Sequence, residues 1–122
     1  MTRQPSVSVA IPVYNEEEIV SELLRRTQAV LDGIPGGPHQ MVVVDDGSTD
    51  ATLELLEEAA ARNPNLVVVS LSRNFGHQTA LGAALDHVSG DVVISMDGDL
   101  QDPPEAIPRL LKACAITSFV PS

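Results

Sequence analysis

Residues 41–48 read Met-Val-Val-Val-Asp-Asp-Gly-Ser, an uninterrupted apolar run that ends in two carboxylates and a glycine. The run is shorter than a typical helix and rich in β-branched valine, so it predicts a strand. Because its apolar residues do not alternate with polar ones, we expect both faces of the strand to be buried, as in a parallel sheet covered by helices. This segment therefore predicts an α/β fold.

Three further apolar runs of strand length lie before and after this one. Segments with apolar residues at helical spacing separate the runs, which predicts the order β-α-β-α-β-α-β. Helical connections of this length join parallel strands with right-handed sense. We therefore expect one domain over residues 1–122, with an open, mainly parallel sheet, flanking helices and a last helix that starts at Asp102–Glu105. The predicted strands are Val7–Ile11, Met41–Val44, Leu66–Leu71 and Val92–Met96, and the helical stripes span Ile19–Leu31, Leu55–Ala60 and Leu81–Val88.

The charge balance restricts the ligands that this chain can bind. Lys and Arg number 7 against 17 Asp and Glu, and the net charge is -10. Such a field repels polyanions, so nucleic acid is not an expected partner. A phosphorylated ligand could bind only with local help from a cation, backbone N–H groups or a few placed arginines.

Cysteine usage and hydropathy bear on the compartment. Cys114 is the only cysteine, which excludes an internal disulfide and a cysteine-based metal cluster. The N-terminal residues lack the pattern of a signal peptide, and no run reaches the roughly 18 apolar residues that cross a bilayer. We therefore expect a cytoplasmic location.

Polar clusters follow all the predicted strands. In an open parallel sheet the carboxyl ends of the strands lie along one edge, where such folds bind ligands. Loops are polar in most proteins, so a single cluster indicates little, whereas coincident clusters at one edge indicate a binding site. The clusters are Pro12–Glu16, Asp45–Ser48, Arg73–Gly76 and Asp97–Asp99.

The pair Asp97 and Asp99 carries the sharpest chemical prediction. On an extended segment, residues i and i+2 point to the same side, and Gly98 between them lets a ligand approach the backbone closely. Two carboxylates so placed repel each other without a cation, and hard oxygen ligands with no Cys or His nearby favour Mg²⁺ or Mn²⁺. An exposed Asp-Gly-Asp turn is the alternative. A bound cation would also overcome the repulsion between this acidic chain and a phosphorylated ligand.

Other residues at this edge have both a ligand-binding and a structural interpretation. Asp46 could accept a hydrogen bond from a nucleobase N–H, whereas Ser48, Thr49 or Asp50 is expected to cap the next helix. Tyr14 could stack on a base or pack in the core, and Glu16 could contact a ligand or favour a helix N-terminus through the dipole. Arg73 could pair with a phosphate or lie at the surface. The histidines, expected to be ordinary loop or surface residues, are His39, His77 and His87.

Four segments in this order and spacing resemble the family 2 glycosyltransferases. The resemblance is closest to the branch of dolichol-phosphate mannose synthases and bacterial polyprenyl-phosphate glycosyltransferases, and it covers residues 6–111. It implies the GT-A fold, a Rossmann-like open sheet. The segments that carry it are Val9–Glu17, Val44–Asp50, Ser72–Gln78 and Met96–Glu105.

The resemblance implies a donor site for a UDP- or GDP-linked sugar and transfer of that sugar with inversion at the anomeric carbon. Asp97 and Asp99 match the family's metal-binding Asp-X-Asp element, with Gln101 as a further ligand, and the metal stabilises the leaving diphosphate. The implied acceptor is a polyprenyl or dolichyl phosphate, which would place the full-length protein at the cytoplasmic face of a membrane. The implied nucleoside contacts are Pro12, Tyr14, Glu16, Val44 and Asp46, and the predicted donor site also includes Arg73, Asp97, Gly98 and Asp99.

The chain also departs from the family pattern. Family catalytic domains are longer, and residues 113–122 do not resemble the family's continuation into the next strand. We therefore expect a truncated or frame-altered donor-binding fragment, with the catalytic base encoded downstream. Two other classes stay open. One is a non-catalytic, Mg²⁺-binding receiver-like domain phosphorylated on Asp45 or Asp46, although a suitably placed lysine is missing. The other is a nucleotidyltransferase on a similar sheet, although its glycine-rich basic phosphate loop is not visible.

Overall fold

The structure is a computed structural model that describes residues 5–101 and 103–111. Strands and helices alternate along the chain as predicted, with bounds that differ from the expected ones by a few residues, and a 3-10 turn at Pro104–Ala106 follows the last strand. The strands are β1 (Val7–Val13), β2 (Gln40–Asp45), β3 (Leu66–Ser70) and β4 (Val92–Ser95), and the helices are α1 (Val20–Asp32), α2 (Thr52–Arg62) and α3 (His77–Leu85).

The strands form one parallel sheet in the order β3-β2-β1-β4. The pairing of β1 with β2 runs from Ser8 opposite Gln40 to Val13 opposite Asp45, and β1 pairs with β4 on its other side. The chain thus passes from β1 to β2 on one side and later adds β4 on the other side of β1. The switch point of the sheet therefore lies between β1 and β4. Ligands of open α/β sheets bind outside the carboxyl ends of the strands at such a point. The predicted open parallel fold is confirmed.

Pro12 lies in the central strand, although proline has no N–H to donate to a ladder. Pairing with β4 ends at Ala10 opposite Ser95, and the Ala10 carbonyl accepts a hydrogen bond from the Met96 N–H at 3.0 Å. The backbone of Pro12 faces the same side as that of Ala10, two residues earlier, and therefore faces the space beyond the end of β4. Proline costs the ladder no bond there, and the chain after β4 is free to turn away over the sheet edge.

The central strands carry apolar side chains on both faces. On one face, Ile11 and Val43 belong to a core that includes Leu23 of α1 and Leu56 of α2, all fully buried. On the other face is a smaller core in which α3 covers β1 and β2. Full burial of a valine or leucine side chain stabilises the fold by about 1.5–3 kcal/mol. This two-sided burial explains why the strands read as continuous apolar runs.

The buried stripe predicted for α3 is confirmed in part. Ala84 is fully buried, and Leu81 and Val88 pack partly buried against the same core, but Leu85 is 45% exposed and Val88 lies beyond the helix end. The fully buried residues are Ala80 and Ala84. These small side chains let the helix lie close to the valine-covered sheet, and the larger leucines lie at its sides.

His39 lies in a loop, as predicted, but it is a buried structural residue and not one at the surface. It precedes β2 and is 9% exposed. Its Nδ1 accepts a hydrogen bond from the Val7 N–H at 3.0 Å, and its Nε2 lies 2.9 Å from the carbonyl oxygen of Ile34. Because Nδ1 is the acceptor, Nε2 carries the proton and donates to that carbonyl. The ring therefore joins the start of β1 to the loop that follows α1.

The segment after the 3-10 turn is held against α1. Pro104 and Ile107 are buried, Ile107 in the same core as α1, and helical backbone continues to residue 111. The guanidinium of Arg26 donates to both carboxylate oxygens of Glu105. Residue 102, with which the predicted last helix begins, and residues 113–122 lie outside the described residues. No helix in the described ranges has the length and apolar character needed to span a membrane.

Candidate functional site

A cavity of about 510 Å³ opens at the carboxyl edge of the sheet. The loops after β1, β2, β3 and β4 all contribute to its walls, so the coincident polar clusters surround one space. Most of the residues predicted to bind a donor lie here: Pro12, Tyr14, Glu16, Asp46, Asp97, Gly98 and Asp99.

Three predicted residues lie elsewhere. The side chain of Val44 is fully buried in the core beneath α3. Arg73 is exposed, and its guanidinium carbon lies 4.9 Å from the centre of the Phe75 ring. Gln101 is also exposed, and its backbone N–H donates to Asp99 Oδ1 at 3.1 Å. None of the three lines the described cavity, and their roles in binding stay predictions.

The acidic pair lies on a turn and not on an extended segment. β4 ends at Ser95, two residues before Asp97, and Leu100 has a positive φ of 63°. Gly98 packs directly against the end of β1, because a Cβ atom there would lie 2.5 Å from Cγ1 of Val13 and 2.9 Å from the carbonyl oxygen of Pro12. The glycine thus allows the turn to fold over the end of β1 with both carboxylates at the cavity.

Negative charge is crowded in this cavity. The pKa of Glu16 is raised above its ordinary value of 4.5 by partial burial, and then by the nearby carboxylates of Asp99 and Asp50. Among the described residues that line the cavity there is no lysine or arginine. Nε2 of His77 lies 3.7 Å from Oδ1 of Asp97, where it offsets charge only when protonated. The arrangement attracts cations and leaves a phosphorylated ligand in need of one.

The donor atoms here fit a divalent cation that is shared with a ligand. In the described ranges no group of three or more His, Cys, Asp or Glu side chains is arranged to hold a metal ion alone. Asp97 and Asp99 nevertheless line the same cavity. Mg²⁺ is commonly bound by one or two carboxylates and completed by water and substrate phosphates. Two carboxylates therefore suit Mg²⁺ or Mn²⁺ without a preformed protein cage.

Asp46 has a structural contact that its sequence context did not predict. Its side chain is 4% exposed, and Oδ1 and Oδ2 accept hydrogen bonds from the N–H groups of Phe75 at 2.8 Å and Gly76 at 3.1 Å. Its own N–H donates to the carbonyl of Val13 at 2.9 Å. Asp46 thus fastens the start of α3 to the sheet edge. A carboxylate can accept about four hydrogen bonds, so capacity for a ligand N–H remains.

The loop after β1 is fastened to the loop after β2. The Asn15 N–H donates to Oγ of Ser48 at 2.8 Å, and Oδ1 of Asn15 accepts from the Thr49 N–H at 2.8 Å. The Glu16 N–H donates to Oγ1 of Thr52 at 2.9 Å. These reciprocal bonds hold the loop in a shape that presents its side chains to the cavity.

The same contacts correct the capping prediction for α2. Ser48 bonds to the neighbouring loop and does not cap the helix. The N-cap position is occupied by Ala51, which makes no side-chain cap bond, and Asp50 before it accepts a hydrogen bond from the N–H of Thr52 with Oδ1 at 2.9 Å. The pKa of Asp50 is lowered: partial desolvation raises it, but hydrogen bonds from Thr52 and from the Glu17 backbone outweigh that effect.

Two aromatic side chains at this edge settle alternatives that the sequence left open. Tyr14 is 42% exposed and lines the cavity, so its interpretation as a core residue is wrong. His77, expected to be an ordinary surface residue, is the first residue of α3 and also lines the cavity. Its position directly after Gly76, at the end of the loop that follows β3, could have predicted that it lies at the cavity. His87 is exposed, as expected.

Residues 8–117 match the profile of Glycosyl transferase family 2. The chain is 52% identical over 108 residues to the undecaprenyl-phosphate 4-deoxy-4-formamido-L-arabinose transferase of Edwardsiella ictaluri, covering 88% of this chain and 33% of the relative. It is 49% identical over 111 residues to the protein of the same name from Pseudomonas fluorescens, covering 90% of this chain and 32% of the relative. The chain thus spans about a third of the length of these curated relatives.

Solved structures show the same fold. The mannosyltransferase PcManGT from Pyrobaculum calidifontis, in complex with GDP-Man and Mn²⁺, matches with a TM-score of 0.72 and 33% identity, over 86% of this chain and 30% of that one. A fragment of S. aureus TarS in complex with UDP-GlcNAc matches with a TM-score of 0.69 and 34% identity, over 93% of this chain and 31% of that one. The GT-A fold expected from the sequence is confirmed for this portion.

Proposed function

We propose that this chain, which belongs to glycosyl transferase family 2, is the part of a glycosyltransferase that binds a nucleotide-diphosphate sugar together with Mg²⁺ or Mn²⁺. One observation carries the proposal: Tyr14, Asp46 and the pair Asp97 and Asp99 line a single cavity at the switch point of the sheet. These groups offer an aromatic face, a hydrogen-bond acceptor and a pair of hard anionic ligands, which match the base, its N–H groups and the cation that accompanies a diphosphate.

The nucleoside is assigned to the side of the cavity formed by β1 and β2. Tyr14 follows β1 and its exposed ring provides a surface on which a base can stack. Asp46 follows β2 and has acceptor capacity beyond its two bonds to the backbone. Glu16 and Pro12 complete this wall.

The diphosphate is assigned to the side formed by the turn after β4. Asp97 and Asp99 would hold the cation there, and a bound divalent cation stabilises the charge that develops on a leaving diphosphate. The solved complex of the mannosyltransferase with GDP-Man and Mn²⁺ supports this choice of cofactor. We keep Gln101 and Arg73 as predicted contacts, to the cation and to a phosphate, because both are exposed on loops at this edge.

For the whole protein we propose inverting transfer of the sugar to a polyprenyl phosphate at the cytoplasmic face of a membrane. The names of the curated relatives, which specify undecaprenyl phosphate, support this acceptor. The oxygen of such an acceptor is already anionic and needs little help from a general base. The residues that bind it are expected in the part of the enzyme beyond this chain.

The receiver-like alternative requires an accessible aspartate for phosphorylation. Asp45 is 1% exposed, and its Oδ2 accepts the N–H of Ser48 at 3.2 Å. Asp46 is 4% exposed, and both of its oxygens accept backbone N–H groups. Burial of both residues leaves a phosphodonor little access to either carboxylate, which favours the donor-binding function.

Isothermal titration calorimetry tests the proposal directly. The chain is titrated with UDP, UDP-GlcNAc, GDP and GDP-mannose, each with Mn²⁺, with Mg²⁺ and with EDTA. We expect at least one nucleoside diphosphate and its sugar derivative to bind when a divalent cation is present. This binding should be lost when EDTA removes the cation. Ligand-observed NMR with Mg²⁺ serves as a second readout, because a binding heat can be close to zero. Absence of cation-dependent binding in both measurements would overturn the proposal.

A further inference from the structure

The acidic turn, Asp97–Asp99, is flanked on both sides by apolar side chains that enter the same core. Before the turn, Met96 is 4% exposed and belongs to the core between the sheet and α1. After the turn, the partly buried side chain of Leu100 packs against this core. Leu100 does not line the cavity, so any effect it has on a ligand must pass through the turn.

The backbone of Leu100 has a conformation that leucine rarely adopts. Its φ is 63°, in the left-handed region where the Cβ atom of an ordinary residue is crowded. In the described ranges the other non-glycine residue with a positive φ is Asn15, a residue type that tolerates this region. A bulky apolar residue keeps such a conformation only where the surrounding contacts enforce it. For Leu100, packing of the side chain against the core supplies such a contact.

The charges of the turn call for a restraint of this kind. Asp97 and Asp99 line one cavity together with Glu16, and these like charges repel one another. Without a bound cation, the repulsion favours movement of the acidic turn away from β1. Packing of Leu100 opposes that movement, because withdrawal from the core would expose its apolar side chain to water.

The turn also lies very close to β1. A Cβ atom on Gly98 would lie 2.5 Å from Cγ1 of Val13, so the backbone of the turn already contacts the end of the strand. A small outward displacement would break this contact and move both carboxylates. Residues that orient metal ligands affect metal affinity although they do not touch the metal themselves.

We propose that Leu100 is a positioning residue for the cation: its side chain, packed against the core, holds Asp97 and Asp99 at the cavity. This inference rests on the proposed function for the identity of the bound ligand. The position of the turn does not depend on that function and is measurable without any ligand.

The first test measures the turn in the chain without nucleotide or cation. In the unaltered chain we expect a nuclear Overhauser effect between the Gly98 α protons and a Val13 methyl group. Leu100→Ala and Leu100→Asn both remove the apolar contact, and asparagine also accepts a left-handed backbone. The effect should be lost in both variants. It should persist in Leu100→Met, which keeps an apolar side chain of similar volume.

The second test measures cation-dependent binding. UDP and GDP are titrated with excess Mn²⁺, at a temperature where thermal denaturation shows every variant to be folded. We expect Leu100→Ala and Leu100→Asn to weaken nucleotide binding by about tenfold, and Leu100→Met to change it by less than about twofold. Leu55→Ala is the matched control, because Leu55 is also a partly buried leucine against the same core but lies on α2 and does not line the cavity. It should lower the melting temperature and leave nucleotide affinity unchanged.

The outcomes separate this inference from the proposed function. If the unaltered chain binds neither nucleotide with Mn²⁺, the proposed function fails, and the ligand-free measurement still decides whether Leu100 positions the turn. If Leu100→Ala and Leu100→Asn keep the contact between Gly98 and Val13, the positioning role is wrong. Retained affinity in Leu100→Asn alone would assign the effect to the backbone conformation and overturn the role of the side chain. An equal loss of affinity in Leu55→Ala would make it a general effect of core stability and overturn the proposal as well.

Discussion

The Asp46 carboxylate accepts a hydrogen bond from the N–H of Gly76 at 3.1 Å, and so joins the end of β2 to the residue before α3. The other oxygen of the same carboxylate accepts the N–H of Phe75. These bonds span about 30 residues of sequence and set the position of His77 at the cavity. The Asp46 side chain therefore positions one wall of the cavity and is itself one of the residues that line the cavity.

Replacing Asp46 with asparagine should loosen this wall. The amide keeps one acceptor oxygen and presents an NH₂ group to a backbone N–H, so one partly buried donor loses its partner. We expect Asp46→Asn to lower the free energy of unfolding by about 1–3 kcal/mol, and to weaken nucleotide binding, as measured by urea denaturation and calorimetry. Asp86→Asn, at an exposed position after α3, is the control. Equal stability of the two variants would show that the Asp46 bonds contribute little.

The acidic pair should control cation-dependent binding without controlling the fold. Asp99→Asn is expected to abolish the increase in nucleotide affinity that Mn²⁺ provides, because one hard anionic ligand is lost. It should leave the melting temperature unchanged or slightly higher, since repulsion of Glu16 is relieved. Calorimetry with and without Mn²⁺ measures the first effect and thermal denaturation the second. Asp32→Asn at the end of α1 is the control, and unchanged cation dependence in Asp99→Asn would remove this residue from the site.

Substitutions of Gly98, which packs closely on β1, and of Gly82, which lies in open space on α3, should have opposite effects on stability. Gly98→Ala would place a methyl group 2.5 Å from Val13 Cγ1, so the turn must move, and both stability and cation-dependent binding should fall. Gly82 lies within α3, where an added Cβ atom would meet no atom beyond the backbone of its own helix within 4 Å, so Gly82→Ala should stabilise the fold by about 0.5–1 kcal/mol. Urea denaturation and calorimetry of both variants provide the comparison. Retained binding in Gly98→Ala would show that the position of the turn tolerates movement.

The contact between Arg26 and Glu105 predicts a pH-dependent contribution to stability. The hydrogen bond from Arg26 holds the pKa of the Glu105 carboxyl below its ordinary value of 4.5. A carboxyl with a lowered pKa in the folded state stabilises the fold above its unfolded pKa and loses this effect as the pH falls through its folded value. The stability difference between the unaltered chain and Glu105→Gln should therefore be constant near neutral pH and shrink below pH 4.5.

Urea denaturation across that pH range measures this difference. Glu22→Gln is the control, since Glu22 lies 3.7 Å from Arg26 on the same helix without such a two-point contact. A stability difference for Glu105→Gln that persists unchanged through acid pH would contradict the assigned role of the ion pair.

The sequence alone was sufficient for the strand order along the chain, the parallel sheet and the edge at which the site lies. These properties follow from short-range patterns: a continuous valine run reports burial on both faces, and a polar cluster at its end reports where the chain leaves the sheet. The acidic pair and Tyr14 could be assigned to one edge because parallel strands bring all their carboxyl ends together.

Only the tertiary structure decided how the loops at that edge contact one another. Ser48 holds Asn15 instead of capping α2, and Asp46 holds the residues before α3. Such contacts depend on backbone conformations that local patterns do not report, including the positive φ of Asn15 and of Gly47, whose missing side chain lets its loop meet the backbone of Arg73. Hydrophobic spacing describes one element at a time, whereas a binding cavity is formed between elements, and its shape follows from how closely their backbones approach.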